Sequence, residues 1–155
     1  TETLESILAA TLADYDTCLV EERIIGIEAT CAVLADFRDS DLYVLPPIEI
    51  IPPAHTTFFS TAVKYDGSTT ELCPGRFSYD EKEKIAAMAT LVHQKLGLTQ
   101  YSRTDCIVRD GEVFFLEVNT LPGLTAASLF PKAAEAVGLP FAQLIDHLVR
   151  TARVY

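Results

Sequence analysis

Basic side chains are scarce in this sequence. Its 155 residues carry 12 Lys and Arg against 22 Asp and Glu, a formal net charge of −10 at pH 7. Neutralising a nucleic-acid backbone takes clustered cations, and an anionic membrane surface attracts the same groups. No nucleic acid and no membrane partner is therefore expected. A polyanionic small ligand stays compatible, provided that a metal ion and a few placed cations mediate. Long apolar runs are missing as well, and none approaches the roughly 18 residues that a bilayer-crossing helix needs. With only 7 Gly and 8 Pro, collagen-like and low-complexity classes fall away. Residues 1–16 lack the basic start of a secretory signal. The first residue is Thr rather than Met, so the chain is expected to be processed or to be a piece of something longer.

Cys-x-x-Cys pairs are absent too. Cys18, Cys31, Cys73 and Cys106 stand apart, with no His at zinc-finger spacing. All four are expected to be reduced thiols in a reducing compartment, three of them small hydrophobes in strands. Apolar side chains are plentiful: 49% of residues are hydrophobic and the mean hydropathy is +0.22. Disorder is thereby excluded. The length suits one domain, which can bury roughly 68–70% of the surface its unfolded chain exposes.

Periodicity organises the chain. Leu4, Ile7, Leu8 and Leu12 recur at helical spacing and predict a helix over residues 3–13. Short β-prone runs predict strands over 18–24, 29–34 and 43–51, with Pro46 and Pro47 pushing the start of the last to an edge or bulge. A long polar stretch over 52–77 reads as a functional lid or a disordered loop. Ser78 and Glu81 form a capping box, after which Ile85, Met88, Ala89, Val92 and Leu96 make one apolar helical face, stopped by Gly97. His93 on that helix and His147 on the last one are expected to face solvent, and neither they nor His55 receives a role. Residues 101–108 and 112–119 are strands joined through Arg109, Asp110 and Gly111, a hairpin signal. Pro131 opens a helix that runs to Gly138, and Phe141, Leu144, Ile145 and Leu148 mark a final one. Glu81, Lys82, Glu83 and Lys84 read as a solvated helix face with local charge pairs.

The chemistry concentrates between residues 101 and 129. Strand alternation puts Arg103 and Asp105 on one face, and likewise Glu117 and Asn119. Four such groups within apolar strands are costly unless they are paired or bind something. Two carboxylates and an amide oxygen suit Mg²⁺ or Mn²⁺. A plain salt bridge between Arg103 and one acid leaves the second acid and the amide unexplained. For the acids to share a face, the hairpin is expected to close with a three-residue loop over 109–111. That loop sets Arg103 opposite Glu117 and gives Gly111 a positive φ in a G1 bulge. Ser128 precedes a helix, where it either caps that helix or offers its hydroxyl to an anion.

These residues resemble a known family. Tyr101-Ser102-Arg103-Thr104-Asp105, then Leu116-Glu117-Val118-Asn119-Thr120-Leu121-Pro122-Gly123-Leu124-Thr125, then Ser128-Leu129-Phe130-Pro131-Lys132, are similar to the carboxyl-terminal lobe of the D-alanine–D-alanine ligases, which are ATP-grasp enzymes. Upstream, Val20-Glu21-Glu22 with Gly26-Ile27-Glu28 resembles the hinge strand, and Ala62-Val63-Lys64-Tyr65 the closing loop over the phosphates, followed by Cys73-Pro74.

The resemblance implies an α/β (α+β) fold: the ATP-grasp large lobe, a mainly antiparallel sheet flanked by helices. It divides the chain into 1–25, the tail of the small lobe, and 26–155, the carboxyl-terminal catalytic lobe. It implies ADP-forming ligation of two D-alanines through D-alanyl phosphate, for peptidoglycan precursors and in the cytoplasm. ATP and two Mg²⁺ (or Mn²⁺) are the cofactors. By resemblance, Glu21 receives the adenine amino group, Glu28 holds the ribose, and Lys64 and Tyr65 close on the phosphates. Asp105, Glu117 and Asn119 hold the metals. Arg103 and the Gly123 N–H stabilise the oxyanion, and Ser128 with the Leu129 backbone binds the carboxylate of the second D-alanine. Lys64 is expected to lie far from Asp105 when no nucleotide is bound.

The segment over 31–49, with Asp36-Phe37-Arg38-Asp39, is longer than the family suggests and is expected to lengthen a hairpin loop. The family's amino-terminal domain and the glycine-rich loop and two lysines of its small lobe have no counterpart here, so this chain alone is expected to be inactive. Its exposed lobe–lobe surface is expected to be apolar and to favour self-association, such as a homodimer. Alternatives are another ATP-grasp carboxylate–amine ligase, a ligase with D-lactate as acceptor, against which Lys64-Tyr65 argues, and a non-catalytic remnant that binds nucleotide or a protein partner.

Overall fold

The computed structural model describes residues 3–53 and 69–152. Helix α1 (Leu4–Asp14) starts at Thr3, whose hydroxyl accepts from the Ser6 N–H at 3.3 Å while the Ser6 hydroxyl accepts from the Thr3 N–H at 3.1 Å. None of its residues is buried. The strand predicted over 18–24 does not form: the segment has no regular secondary structure, with Leu19 80% exposed. No neighbouring strand among the described residues gives it a ladder, and no layer covers it.

The sheet is built around β1 (Ile27–Phe37), with β2 (Ser40–Val44), β3 (Ile48–Ile51), β4 (Thr70–Leu72), β5 (Tyr101–Arg109) and β6 (Glu112–Asn119). Its order is β4-β3-β1-β5-β6, with β2 also pairing with β1, and every pairing is antiparallel. Eight residues of β1 pair with β5, Ile27 opposite Val108 through Leu34 opposite Tyr101. The other edge of β1 is shared, Glu28 to Thr30 going to β3 and its last residues to β2. The single run predicted over 43–51 is thus two strands. Pro46 and Pro47 cannot donate to a ladder, so the chain leaves the sheet there and rejoins it.

The added length over 31–49 lies in the strands, not in a loop. Phe37 pairs with Ser40, leaving a two-residue turn at Arg38 and Asp39, with φ of 50° and 58°. The Arg38 guanidinium stacks 5.1 Å from the Phe37 ring centroid and donates to the Val137 carbonyl at the end of α3 (Leu129–Ala136). The polar stretch over 52–77 also holds more structure than expected, since β4 lies within it and Phe77 is buried.

Alternation along β1 makes two cores. Ala29, Cys31 and Val33 pack with Cys106 and Val108 of β5 against Ile85 and Ala89 of α2 (Tyr79–Lys95). Ala32 and Leu34 face the other way, onto Phe130, Ala133 and Ala134 of α3 and Leu144 and Leu148 of α4 (Phe141–Thr151). The result is three layers, helix on both faces of an antiparallel sheet, which agrees with the antiparallel sheet flanked by helices that the resemblance implies. Both helical histidines differ from expectation, because each completes a buried stripe. His93 stands one turn after Ala89 on the inner face of α2 and is 1% exposed. His147 is buried in α4, where its Nε2 is 2.9 Å from the Ala35 carbonyl oxygen.

Candidate functional site

The site lies on the sheet face that carries α3 and α4, at the open end of the β5–β6 hairpin, away from its turn. Side chains of β5 alternate strictly in burial. Ser102, Thr104, Cys106 and Val108 point toward α2, which leaves Arg103 and Asp105 on the opposite face. The hairpin closes with two residues, not three. Arg109 pairs with Glu112, and both Asp110 and Gly111 take positive φ, 53° and 76°. Only the positive φ of Gly111 agrees with the sequence reading.

A regular ladder from that turn would set Asp105 opposite Leu116 and send Glu117 to the wrong face. A register shift between Asp105 and Cys106 prevents this. Cys106 pairs with Phe115, Asp105 pairs with Glu117, and Leu116 is the extra residue of a β-bulge. Arg103 consequently lies opposite Asn119 rather than Glu117. The three metal-ligand candidates therefore share one face, but by a bulge instead of a longer loop.

Arg103 Nε and Nη2 donate to Asp105 Oδ1 and Oδ2, each at 2.9 Å. A salt bridge between Arg103 and one acid does exist, along the strand rather than across it. Asn119 Nδ2 lies 3.4 Å from both Asp105 Oδ2 and Glu117 Oε1, bridging the two carboxylates. Among the described residues no group of three or more His, Cys, Asp or Glu is gathered. The donor set is two carboxylates and an amide, hard oxygens of the kind that Mg²⁺ takes together with substrate phosphates, so the residues fit that ion.

Ser128 occupies the N-cap position of α3 but makes no side-chain cap bond. Its Oγ instead accepts from the Thr125 N–H at 3.2 Å and lies 2.9 Å from Thr125 Oγ1. The hydroxyl is thus turned to the loop ahead of the helix. Gly123 leaves room for that rotamer, because a Cβ on it would stand 2.9 Å from Ser128 Oγ and turn the hydroxyl aside. One cleft of about 640 Å³ is lined by Arg103, Asp105, Glu117, Asn119, Gly123, Ser128 and Leu129 together. Lys132 and Glu71, an ion pair between α3 and β4, complete its wall and were not singled out from sequence.

Glu28 shares the sheet face of Asp105, since it pairs with Ile107 two residues along the same ladder. Glu21 lies exposed in the irregular segment before β1, and its neighbour Glu22 is 3.8 Å from Arg109. Lys64 and Tyr65 lie outside the described residues. Thr30 went unmarked in the sequence, yet its hydroxyl donates to Asp105 Oδ1 at 2.5 Å. No signal distinguishes it there, because Thr is an ordinary strand residue. Among the described residues no helix is long and apolar enough to cross a membrane.

Comparison with known proteins gives consistent findings. The family model described as the D-Ala D-Ala ligase C-terminus matches residues 1–150. The D-alanine–D-alanine ligase of Syntrophobacter fumaroxidans is 44% identical over 140 residues, covering 89% of this chain and 44% of that protein. That of Nitratidesulfovibrio vulgaris is 43% identical over 150 residues, covering 96% and 47%. A crystal structure of the Bacillus anthracis D-alanine–D-alanine ligase complexed with ATP superposes with a TM-score of 0.74 at 31% identity, over 97% of this chain and 48% of that one. The chain thus spans less than half the length of these relatives.

Proposed function

Because the chain belongs to the D-alanine–D-alanine ligase family, whose C-terminal domain it matches, we propose that it supplies the catalytic lobe for ATP-dependent joining of two D-alanines. The observation that carries this reading is the convergence of Arg103, Asp105, Glu117, Asn119, Gly123 and Ser128 on one cleft. Residues 26–155 form that lobe, and residues 1–25 the tail of the smaller ATP-grasp lobe, which agrees with α1 burying nothing in the present fold. The reaction would serve the making of peptidoglycan precursors, in the cytoplasm.

Each residue has a part that its position supports. Asp105, Glu117 and Asn119 would hold two Mg²⁺ (or Mn²⁺), which neutralise phosphate charge while a carboxylate attacks ATP. Arg103 and the Gly123 N–H would face the carbon at which an amine displaces phosphate from the D-alanyl phosphate. There they stabilise the oxyanion, and one such donor is worth roughly 2.7–4 kcal/mol. Ser128 and the N-terminal N–H groups of α3 take the carboxylate of the acceptor D-alanine. Glu28 and Glu21 serve the ribose and adenine, and Lys64 and Tyr65 the phosphates.

A graft tests the reading. This chain replaces the matching C-terminal part of the Syntrophobacter fumaroxidans relative, and ADP release is followed with ATP, Mg²⁺ and D-alanine. Turnover that depends on D-alanine and vanishes in Glu117→Gln is the expected result. A folded chimera that binds nucleotide but releases no ADP would overturn the reading.

A further inference from the structure

Asp105 is held by more partners than a metal ligand can keep. Arg103 takes both of its oxygens at 2.9 Å, Thr30 Oγ1 donates to Oδ1 at 2.5 Å, and Asn119 Nδ2 approaches Oδ2 at 3.4 Å. A carboxylate offers about four acceptor positions, and these four donors account for them. The Arg103 and Asp105 side chains are each only 15% exposed. Separating them with nothing in exchange would leave two poorly solvated charges.

We infer that Arg103 is the resident counter-ion of Asp105 and gives way when a divalent cation binds, while Thr30 is the positioning residue that keeps the carboxylate aimed during the exchange. The inference rests on the metal site proposed above. Thr30 suits the task. It is 1% exposed and pairs directly with Asp105 in the β1–β5 ladder. Its branched Cβ stiffens χ1. Its hydroxyl has a second acceptor, the Thr104 carbonyl at 3.3 Å. With one proton to give, the much shorter contact assigns that proton to Asp105. Thr30 touches one carboxylate oxygen and Asn119 approaches the other at 3.4 Å, whereas Arg103 covers both at 2.9 Å and carries a positive charge, so Arg103 is the main obstacle to a cation.

One exchange then does two things. The cation takes over Asp105, and the guanidinium becomes free for the oxyanion. A cation-free site keeps its arginine parked, so charge stabilisation for the second step is armed only after the cation has bound.

The signs of the mutant effects separate this from an ordinary supporting role. Removing a residue that merely supports a metal site weakens binding, commonly by about 10–100-fold. Removing a competitor tightens it. Binding of Mn²⁺ alone to the 155-residue chain is read by the electron paramagnetic resonance of the free ion. Arg103→Met is expected to tighten binding about tenfold. Thr30→Val is expected to weaken it by about tenfold, the lower end for an outer-shell partner, and Thr30→Ser to restore it. Unchanged or weaker binding in Arg103→Met, with the parent binding normally, overturns the inference and leaves the metal site standing. No binding in the parent overturns both. The unaltered chain provides a second measurement in case a variant misfolds. The Arg103 Nε–H resonance, protected from solvent exchange by its bond to Asp105, should shift and broaden as Mg²⁺ is added, and a resonance unmoved at saturation overturns the exchange.

Discussion

His93 carries a titratable ring into the contact between α2 and the sheet. Its Nδ1 lies 2.8 Å from Ser102 Oγ, and burial holds its pKa below the ordinary value of 6.5. The unfolded chain therefore takes up a proton near that pH while the folded chain does not. Stability should fall as the pH drops below about 6.5, and keep falling until the buried ring itself protonates. Glu49 acts in a lower window. Its bonds from Arg76 lower its pKa from 4.5, so its contribution is full above that value and is lost as the pH falls through the depressed one. Chemical denaturation at pH 7 and pH 5.5 checks the first window. The chain should be less stable at pH 5.5, and His93→Gln should remove most of that difference.

The cysteines permit a second test. Burial pushes the Cys106 thiol up to about 12 and raises Cys31 further, with the neighbouring thiols adding to the effect. Cys18 is exposed and Cys73 half-buried. Alkylation of the folded protein at pH 8, read by mass spectrometry, should label Cys18 first and Cys73 slowly, and spare Cys31 and Cys106 until denaturant is added. Residues differ in how plainly a sequence reveals them. Arg103, Asp105, Glu117 and Asn119 are legible because polar groups at alternate positions of apolar strands demand an explanation. His93 is not, because an imidazole in a helical stripe looks the same whether it meets solvent or a serine beneath a sheet.

Among the elements, the β5–β6 hairpin decides whether a site exists. Asp110-Gly111 is a strong signal for a two-residue turn, and that turn forms. The chemistry nonetheless needs the opposite parity between turn and acids. The bulge at Leu116 reconciles the two demands, and nothing in Phe115-Leu116-Glu117 announces it, since a bulge is the insertion of an ordinary residue. The requirement that the acids share a face was readable, but the device that meets it was not. Gly111 should then be sensitive in two ways. Its φ of 76° costs a side chain roughly 1–2 kcal/mol, so Gly111→Val should lower the Tm by about 2–8 °C. Loosened register should also weaken Mn²⁺ binding at Asp105 and Glu117, although the substitution lies four pairs or more from the acids. Loss of Tm with unchanged Mn²⁺ affinity would show that the bulge holds register without help from the turn.

At the scale of the whole molecule, the sheet and its three packed helices form one body, and the first 25 residues contribute little to it. Leu4, Ile7 and Leu12 of α1 are 61%, 48% and 51% exposed, and Leu19, Val20 and Ile25 lie open beyond them. So much apolar surface on one arm is unusual for a chain that stays monomeric. Gly26 is where the body begins, because a Cβ on it would stand 2.4 Å from the Val108 carbonyl oxygen. The Glu22–Arg109 contact at 3.8 Å ties the arm down only weakly, as exposed pairs do. Removing residues 1–25 should therefore leave the Tm within about 2 °C, the range expected when only surface is altered. The same truncation should remove self-association. Light scattering over a concentration series should show the 155-residue chain gaining mass and the shortened one remaining a monomer. Replacing Leu4, Ile7 and Leu12 together by Ser should reproduce the monomer without shortening the chain. If the triple variant still associates, the contact lies on the body instead, where Phe115 and Leu116 of the edge strand β6 are 48% and 44% exposed.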